Sequence, residues 1–158
     1  MTGRADPPLV RVAGVADAPV IGRLLDAFNA EYDEPTPGPA ALADRVARLL
    51  EEGDTVVVLG GEGPDGLALL RFRPALWSPG LECYLAELYV RPAHRGRGLG
   101  RAIMERALVV ARERGADTMD LGTDETDTVA HHLYERLGFS RYAGGEGGPA
   151  MFVFERPL

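Results

Sequence analysis

Residues 85–101 read LAELYVRPAHRGRGLGR and contain the transition that decides the fold. The first six residues have the apolar and aromatic composition of a strand, which Pro92 ends because proline cannot donate to a sheet. Glycines at 96, 98 and 100 then lead directly into residues 99–114, where apolar and charged positions occupy opposite faces of a helix. This stretch therefore predicts a strand, a glycine-rich turn and a helix.

The glycine-rich turn has the features of a phosphate-binding site. Glycine allows positive φ and a close approach of a ligand to the backbone. The first turn of a helix leaves amide N–H groups unpaired at its positive end, which suits a pyrophosphate. Arg95, Arg97 and Arg101 can add charge at the rim, whereas a dinucleotide fingerprint would need glycine at position 101. A tight strand–helix connection without a ligand is the alternative, and the flanking arginines favour phosphate.

The remaining chain predicts an α/β fold. The predicted helices are residues 17–28, 42–50, 99–114 and 127–137, and the predicted strands are residues 9–15, 55–59, 67–76, 82–90, 118–123, 139–142 and 150–155. The order is β-α-α-β-β-β-α-β-α-β-β. Three successive strands followed by alternation predict a mixed, mostly antiparallel sheet with helices on both faces.

Composition excludes several classes of protein. At 158 residues we expect one domain over 1–158. All 17 basic residues are arginine, which excludes a GxxxxGK phosphate loop and lysine Schiff-base chemistry. A single cysteine, Cys83, excludes a disulfide scaffold within one chain. The net charge of −7 argues against nucleic-acid binding. No segment has the roughly 20 apolar residues of a membrane span, and MTGRADPPLV (1–10) lacks a signal-peptide core, so we expect a cytoplasmic protein.

Two motifs resemble those of the GCN5-related N-acetyltransferases, the GNAT family. Arg95, Gly98 and Gly100 match the family's acetyl-coenzyme A signature, Q/R-x-x-G-x-G/A. The segment from Asp127 to Phe139 is similar to its second cofactor segment, N-x-x-A-x-x-L-Y-E-x-x-G-F. The resemblance is close over residues 85–142, and the order of elements extends it over nearly the whole chain.

The resemblance implies a binding site for acetyl-CoA. Two parallel strands, one ending at Val90 and one beginning at Thr118, would splay apart and enclose a cleft. Backbone groups of the first strand would hold the pantetheine arm, and the amides of the glycine-rich turn would hold the pyrophosphate. Asp127 stands where the family usually has asparagine; it can cap the helix but cannot donate an amide N–H. The implied cofactor-binding residues are Leu88, Tyr89, Val90, Arg95, Gly96, Arg97, Gly98, Leu99, Gly100, Arg101 and Asp127.

Tyr134 matches the family position that protonates the departing thiolate. A phenol has a pKa near 10 and a free thiol one near 8.5, so a phenol near the sulfur can stabilise or neutralise the thiolate. Tyr134 also belongs to an apolar helical stripe with Ala130, Leu133 and Leu137, and a core position is the alternative.

The amine must lose a proton before it attacks, and Glu87 is the candidate base, with Glu82 further back on the same strand. The family often places a base one position earlier, where this chain has Ala86. Because adjacent strand residues point to opposite faces, we expect Glu87 to face away from that position. A structural or solvated carboxylate is the alternative interpretation.

The resemblance places the amine acceptor between two loops, residues 31–40 and 143–149. The first loop carries Glu31, Tyr32, Asp33 and Glu34, which suit a cationic amine or form a solvated acidic loop. Trp77, Phe72 and Arg73 either line this acceptor groove or pack on the sheet. His131 and His132 are adjacent and so cannot form the usual i, i+4 metal pair, and we predict no metal site.

The sequence thus predicts an acetyl-CoA-dependent N-acetyltransferase that acts on a primary amine of a small molecule, in a ternary complex. Acetylation of peptide or protein amines is an alternative within the enzyme class. A non-catalytic module that binds acyl-CoA, or a nucleotide-binding protein, are alternatives outside it. A homodimer through the terminal strands is the partner that the family resemblance implies.

Overall fold

The computed structural model describes residues 6–158; the first five residues of the N-terminal segment discussed above lie outside the described part. The elements are β1 (Val10–Val12), α1 (Ala18–Glu31), α2 (Pro39–Glu52), β2 (Thr55–Gly60), β3 (Gly66–Pro74), β4 (Leu81–Val90), α3 (Leu99–Glu113), β5 (Ala116–Leu121) and α4 (Thr128–Arg136). Short 3-10 turns at Val15–Asp17 and Pro92–His94 precede α1 and α3. The predicted elements up to α4 are thereby confirmed in type and order.

The strands form one mixed sheet in the order β1-β2-β3-β4-β5. The first three pairs are antiparallel. β5 follows a helical crossover and begins beside the start of β4, where Leu81 N donates to Gly115 O at 3.0 Å. Because both strands begin at the same end, they run parallel. The mixed, mostly antiparallel sheet is confirmed.

Helices cover both faces of this sheet. On one face, Ile21 and Leu24 of α1 and Val46 of α2 pack with Val57 and Leu69 of the sheet in one buried cluster. On the other face, α3 lies so close to β2 that a Cβ on Gly60 would stand 2.6 Å from Ile103. α1 and α2 are both amphipathic, and the sheet strands between the two layers read as continuous apolar runs such as TVVVL.

A β-bulge interrupts the pairing of β3 with β4. Leu70 pairs with Leu85 but Leu69 pairs with Glu87, so Ala86 is the extra residue on β4. A bulge places two residues opposite one and breaks the strict alternation of side chains. Ala86 packs against the cluster under α1 and α2, the face to which Leu69, the partner of Glu87, also contributes. The expectation that Ala86 and Glu87 face opposite sides is therefore wrong.

The last two predicted strands do not form. Residues 139–142 and 150–155 make a single bridge, between Tyr142 and Ala150. A strand needs a neighbour that accepts its backbone hydrogen bonds, and one bridge satisfies only one position. Glycines 144, 145 and 147 adopt positive φ and turn the intervening chain sharply.

The chain divides into two compact units, the first ending at Asp120 and the second comprising Leu121–Leu158. The first contains α1, α2, α3 and nearly all of the sheet. The second contains α4 and the segment that follows it. No helix within residues 6–158 is long and apolar enough to cross a membrane.

Candidate active site

The glycine-rich turn is open on its outer side. Gly96 and Gly98 have φ of 74° and 82°, a conformation that favours glycine. Among the described residues, apart from the glycine itself and its two neighbours in the chain, no heavy atom lies within 4 Å of the position that a Cβ would take on either glycine. The glycines are thus required by backbone conformation and leave space for a ligand.

α3 begins directly after this turn. The first backbone bond into the helix is from Ala102 N to Gly98 O, at 3.0 Å. The N–H groups of residues 99–101 therefore precede the helical hydrogen-bond ladder, at the positive end of a 15-residue helix. This is the arrangement that binds phosphate groups in proteins.

The end of β4 presents a second set of backbone groups. Arg91 N donates to Asp65 O of the neighbouring hairpin at 2.8 Å, and antiparallel pairs alternate between bonded and non-bonded positions. Tyr89 therefore directs its N–H and C=O towards β3, whereas Leu88 and Val90 direct theirs away. β5 has six residues against ten in β4 and begins beside its start, so residues 88–90 extend past the end of β5. We call this backbone edge at residues 88–90 the free edge of β4.

The side chain of Arg95 lies between the free edge and α1. Its Nε donates to Val90 O at 2.8 Å, and its Nη2 donates to Glu31 at 2.6 Å. The guanidinium also stands 5.7 Å from the centre of the Tyr89 ring, and the Glu31 bond raises the pKa of Arg95. The Arg95 charge is therefore used within the protein.

The other two arginines of the turn differ from each other. Arg101 Nε bonds Glu105 at 2.8 Å, one helical turn further along α3. Arg97 is exposed and forms no ion pair with any residue from 6 to 158. Arg97 thus supplies the uncompensated positive charge of the turn.

Glu87 is the half-buried carboxylate nearest the free edge. Burial raises its pKa above the ordinary value for glutamate, because a desolvated carboxylate favours its neutral form. A raised pKa makes a carboxylate a stronger base. Glu82, the other candidate, accepts from Arg73 Nε at 2.5 Å and is therefore committed to an ion pair.

Tyr134 and Asp127 both belong to α4 in the second unit. Asp127 caps the helix by accepting from Ala130 N at 3.1 Å, as predicted. Tyr134 is half-buried, with its ring edge-on to Phe139 at 5.8 Å. Burial first, and the charge of Asp127 second, raise the pKa of Tyr134 to about 12. The phenol therefore carries its proton throughout the neutral range, and the raised pKa makes it a weaker acid than a free phenol.

The remaining candidates have ordinary structural surroundings. Burial raises the pKa of the Cys83 thiol to about 11, with Asp120 adding to the shift, so the thiol stays protonated and unreactive. His94 lies 3.3 Å from Asp65, and His131 Nε2 contacts Asp124 O at 2.8 Å. No group of three or more metal-ligating side chains occurs among the described residues.

The structure shows the surroundings of the three residues predicted either to line the acceptor groove or to pack on the sheet. Phe72 is buried under the guanidinium of Arg114, 4.8 Å away, and also forms part of the lining of an open groove on the sheet. Trp77 is 93% exposed. Arg73 lines the same groove.

That groove also contains Arg71, Tyr84 and Asp120, which the sequence reasoning missed. The available signal was polar side chains alternating along β3 after the apolar run that ends at residue 70. The alternation shows that one face of β3 is polar, but it does not show which side chains of β4 and β5 lie beside it.

Comparisons with known proteins agree with this geometry. Residues 22–139 match the Acetyltransferase (GNAT) family. The chain is 37% identical over 140 residues to a mycothiol acetyltransferase of Cellulomonas flavigena, covering 85% of this chain and 36% of that protein. It is 36% identical over 87 residues to the streptothricin acetyltransferase of Streptomyces lavendulae, covering 54% of this chain and 44% of that protein.

A crystal structure of a protein from Arthrobacter sp. FB24, assigned as an acetyltransferase, superposes with a TM-score of 0.87 at 40% identity. The superposition covers 100% of this chain and 99% of that one. The curated relatives are longer, and this chain spans less than half of the length of either. The family match includes the glycine-rich turn, the free edge of β4 and α4, and we conclude that the chain belongs to the acetyltransferase (GNAT) family.

Proposed function

We propose that the protein transfers the acetyl group of acetyl-CoA to a primary amine of a small molecule, by direct attack in a ternary complex. The observation that carries the proposal is the free edge of β4 next to the open glycine-rich turn. An extended pantetheine can pair with a strand edge as a peptide does, while a pyrophosphate takes the amides before α3.

The residues of the free edge have separate roles in this proposal. The N–H and C=O of Leu88 and the N–H of Val90 are the groups available to the pantetheine arm and to the developing oxyanion. Arg95 already occupies the carbonyl of Val90. The Tyr89 backbone is directed at β3, so its contribution is its buried ring, which stacks on Phe28 at 5.0 Å.

Two side chains transfer protons in this reaction. Glu87 accepts a proton from the amine, directly or through water, because its raised pKa strengthens it as a base. The amine nitrogen then bonds to the thioester carbon, the C–S bond breaks, and Tyr134 protonates the departing sulfur. Acetyl-CoA supplies the activated acetyl group and the thiol leaving group.

Small-molecule acceptors are supported by the two curated relatives, which are named for mycothiol and streptothricin. The test is thiol release from acetyl-CoA with a panel of diamines, aminoglycosides, amino acids and short peptides, together with calorimetry of CoA binding. We expect heat with CoA and thiol release that depends on the amine. Binding of CoA without thiol release would indicate a non-catalytic module. Thiol release with peptides alone would show that the acceptor is a peptide amine and not a small molecule. A preference for a dinucleotide over CoA would reject the proposal.

The proposal includes a homodimer, supported by the exposed apolar residues 151–154, each of which is at least 54% exposed. Light scattering after size-exclusion chromatography tests it, and a monomer at micromolar concentration would reject it. The proposal also keeps the cytoplasmic location that the sequence predicted, which cell fractionation tests.

A further inference from the structure

The sheet face under α1 and α2 is apolar in the first part of β3 and charged towards its end. Leu69 belongs to the apolar cluster, but Arg71 and Arg73, which follow at alternate positions on the same face, are exposed. They open onto a groove of about 460 Å³. Its polar lining is Arg71, Arg73, Glu82, Tyr84 and Asp120, and its apolar lining is Phe72 and Ala86. We call this the charged groove.

The charges of the groove are only partly paired. Arg73 and Glu82 are cross-strand partners and neutralise each other at 2.5 Å. Arg71 stands opposite Tyr84, a neutral residue, and neither Arg71 nor Asp120 has an ion-pair partner within residues 6–158. Arg71 on β3 and Asp120 on β5 are therefore the charges of the groove that form no ion pair within the described part of the chain. The pKa of Arg73 is raised by its bond to Glu82 and, to a smaller extent, by the charge of Asp120.

The position of the groove connects it to the site of acetyl transfer. Ala86 is the bulged residue of β4, two positions before Leu88 at the free edge. Adjacent strands lie about 4.8 Å apart, so the backbones of β3 and β5 are roughly 10 Å apart across β4. A ligand that meets both unpaired charges therefore carries its own two charges several bonds apart.

We infer that the acceptor is amphoteric, with a carboxylate that binds Arg71 and a distal primary amine whose ammonium form is attracted to Asp120. The inference rests on the proposed function, because it names the substrate class of the same site. A simple cationic amine would leave Arg71 uncompensated. A phosphate dianion would bring more negative charge than one free arginine offsets, whereas a carboxylate matches a guanidinium in charge and bidentate geometry.

The test uses three amines of matched length: 6-aminohexanoate, 6-aminohexanamide and hexylamine. With the wild type we expect kcat/KM for the acid to exceed that for the amide by about two- to fivefold, the range of one partly exposed charge pair. Arg71→Gln should bring the ratio close to one, and Arg71→Lys should restore part of it. Arg48→Gln, which removes an exposed arginine on α2, is the control and should leave the ratio unchanged.

Asp120→Asn tests the contact to the amine end of the ligand independently of the contact to its carboxylate end. It should lower kcat/KM for the acid and the amide by the same factor and so keep their ratio. Thermal unfolding of each variant shows whether it folds, and calorimetry of 6-aminohexanoate and its amide, in the presence of CoA, repeats the comparison without turnover.

The outcomes distinguish the two proposals. Equal rates for acid and amide in an active wild type would overturn the amphoteric acceptor and leave acetyl transfer intact. Absence of thiol release with every amine, combined with tighter binding of the acid that Arg71→Gln abolishes, would reject acetyl transfer and retain the groove as a carboxylate site. A ratio that Arg71→Gln does not change would overturn the role of Arg71.

Discussion

The guanidinium of Arg95 donates to the carboxylate of Glu31 at 2.6 Å, across 64 positions of sequence. The bond joins the last residue of α1 to the start of the glycine-rich turn. The same side chain holds the carbonyl of Val90, so one residue connects α1, β4 and the turn before α3.

Arg95→Ala should therefore loosen the turn and weaken acetyl-CoA binding. We expect the dissociation constant to rise about three- to tenfold, because two charge-assisted hydrogen bonds of a partly exposed side chain are lost. Calorimetry measures it. Glu31→Gln should have a smaller effect, since the bond to Val90 remains, and Arg112→Ala at the exposed end of α3 should have none. An unchanged dissociation constant in Arg95→Ala would contradict the linking role.

Gly98→Ala should weaken acetyl-CoA binding mainly through backbone conformation. A residue with a Cβ at φ 82° costs about 1–2 kcal/mol, and the space around Gly98 adds no clash. If the variant relieves this strain by shifting the turn, the amides before α3 move with it. Gly14→Ala is the matched control, because Gly14 has equally open surroundings but φ of −106°. Equal effects of the two substitutions on affinity would argue against a conformational requirement.

Tyr134→Phe should lower kcat at least tenfold and change KM for acetyl-CoA little, because it removes a proton donor and keeps the ring packing. The pKa of about 12 implies that ionisation of the Tyr134 phenol causes no loss of activity up to about pH 10. Tyr142→Phe, in the segment after α4, should be silent. Full turnover in Tyr134→Phe would assign the residue to the helix core alone.

Glu87→Gln should lower kcat at least tenfold and raise stability at the same time. A base must be deprotonated, so wild-type activity should rise with pH through the raised pKa of Glu87, and this limb should vanish in the variant. Because the folded-state pKa is raised, the charged form opposes folding, and the stability present at low pH is lost as pH rises through that pKa.

Glu87→Gln should thus melt at a higher temperature than the wild type at pH 8 and at a similar temperature below pH 4. The exposed Glu51 of α2 provides the control, as Glu51→Gln should alter neither quantity. A stabilised variant with unchanged kcat would leave Glu87 as a structural carboxylate.

Asp17→Asn should destabilise the start of α1 in a pH-dependent way. Arg11 donates twice to Asp17 at 2.8 Å and holds its pKa at about 2, with the backbone of Gly14 contributing. The pKa is depressed, so this stability is present above pH 4 and is lost as pH falls towards 2. Urea unfolding should show a loss of about 1–2 kcal/mol at pH 7, reduced by the exposure of Arg11, and a small difference at pH 2. A loss that persists at pH 2 would indicate another cause.

Local elements were predictable where their signals lie within a few residues. The cap at Asp127 depends on Ala130, three positions away. The glycines at 96 and 98 indicate positive φ from their residue type alone. The final strands were not predictable in this way. Residues 150–155 have strand-like composition, but a strand forms only where a neighbour pairs with it.

The amino-acid sequence alone determined the turn, the helix that follows it and the order of the elements up to α4, because backbone conformation and capping depend on adjacent residues. Only the tertiary structure decided that Ala86 and Glu87 share a face, that Arg95 binds Glu31, and that Arg71 and Asp120 line one groove. Each of these facts depends on the register between segments that are distant along the chain. One extra residue in β4 changes that register and with it the side chains that meet.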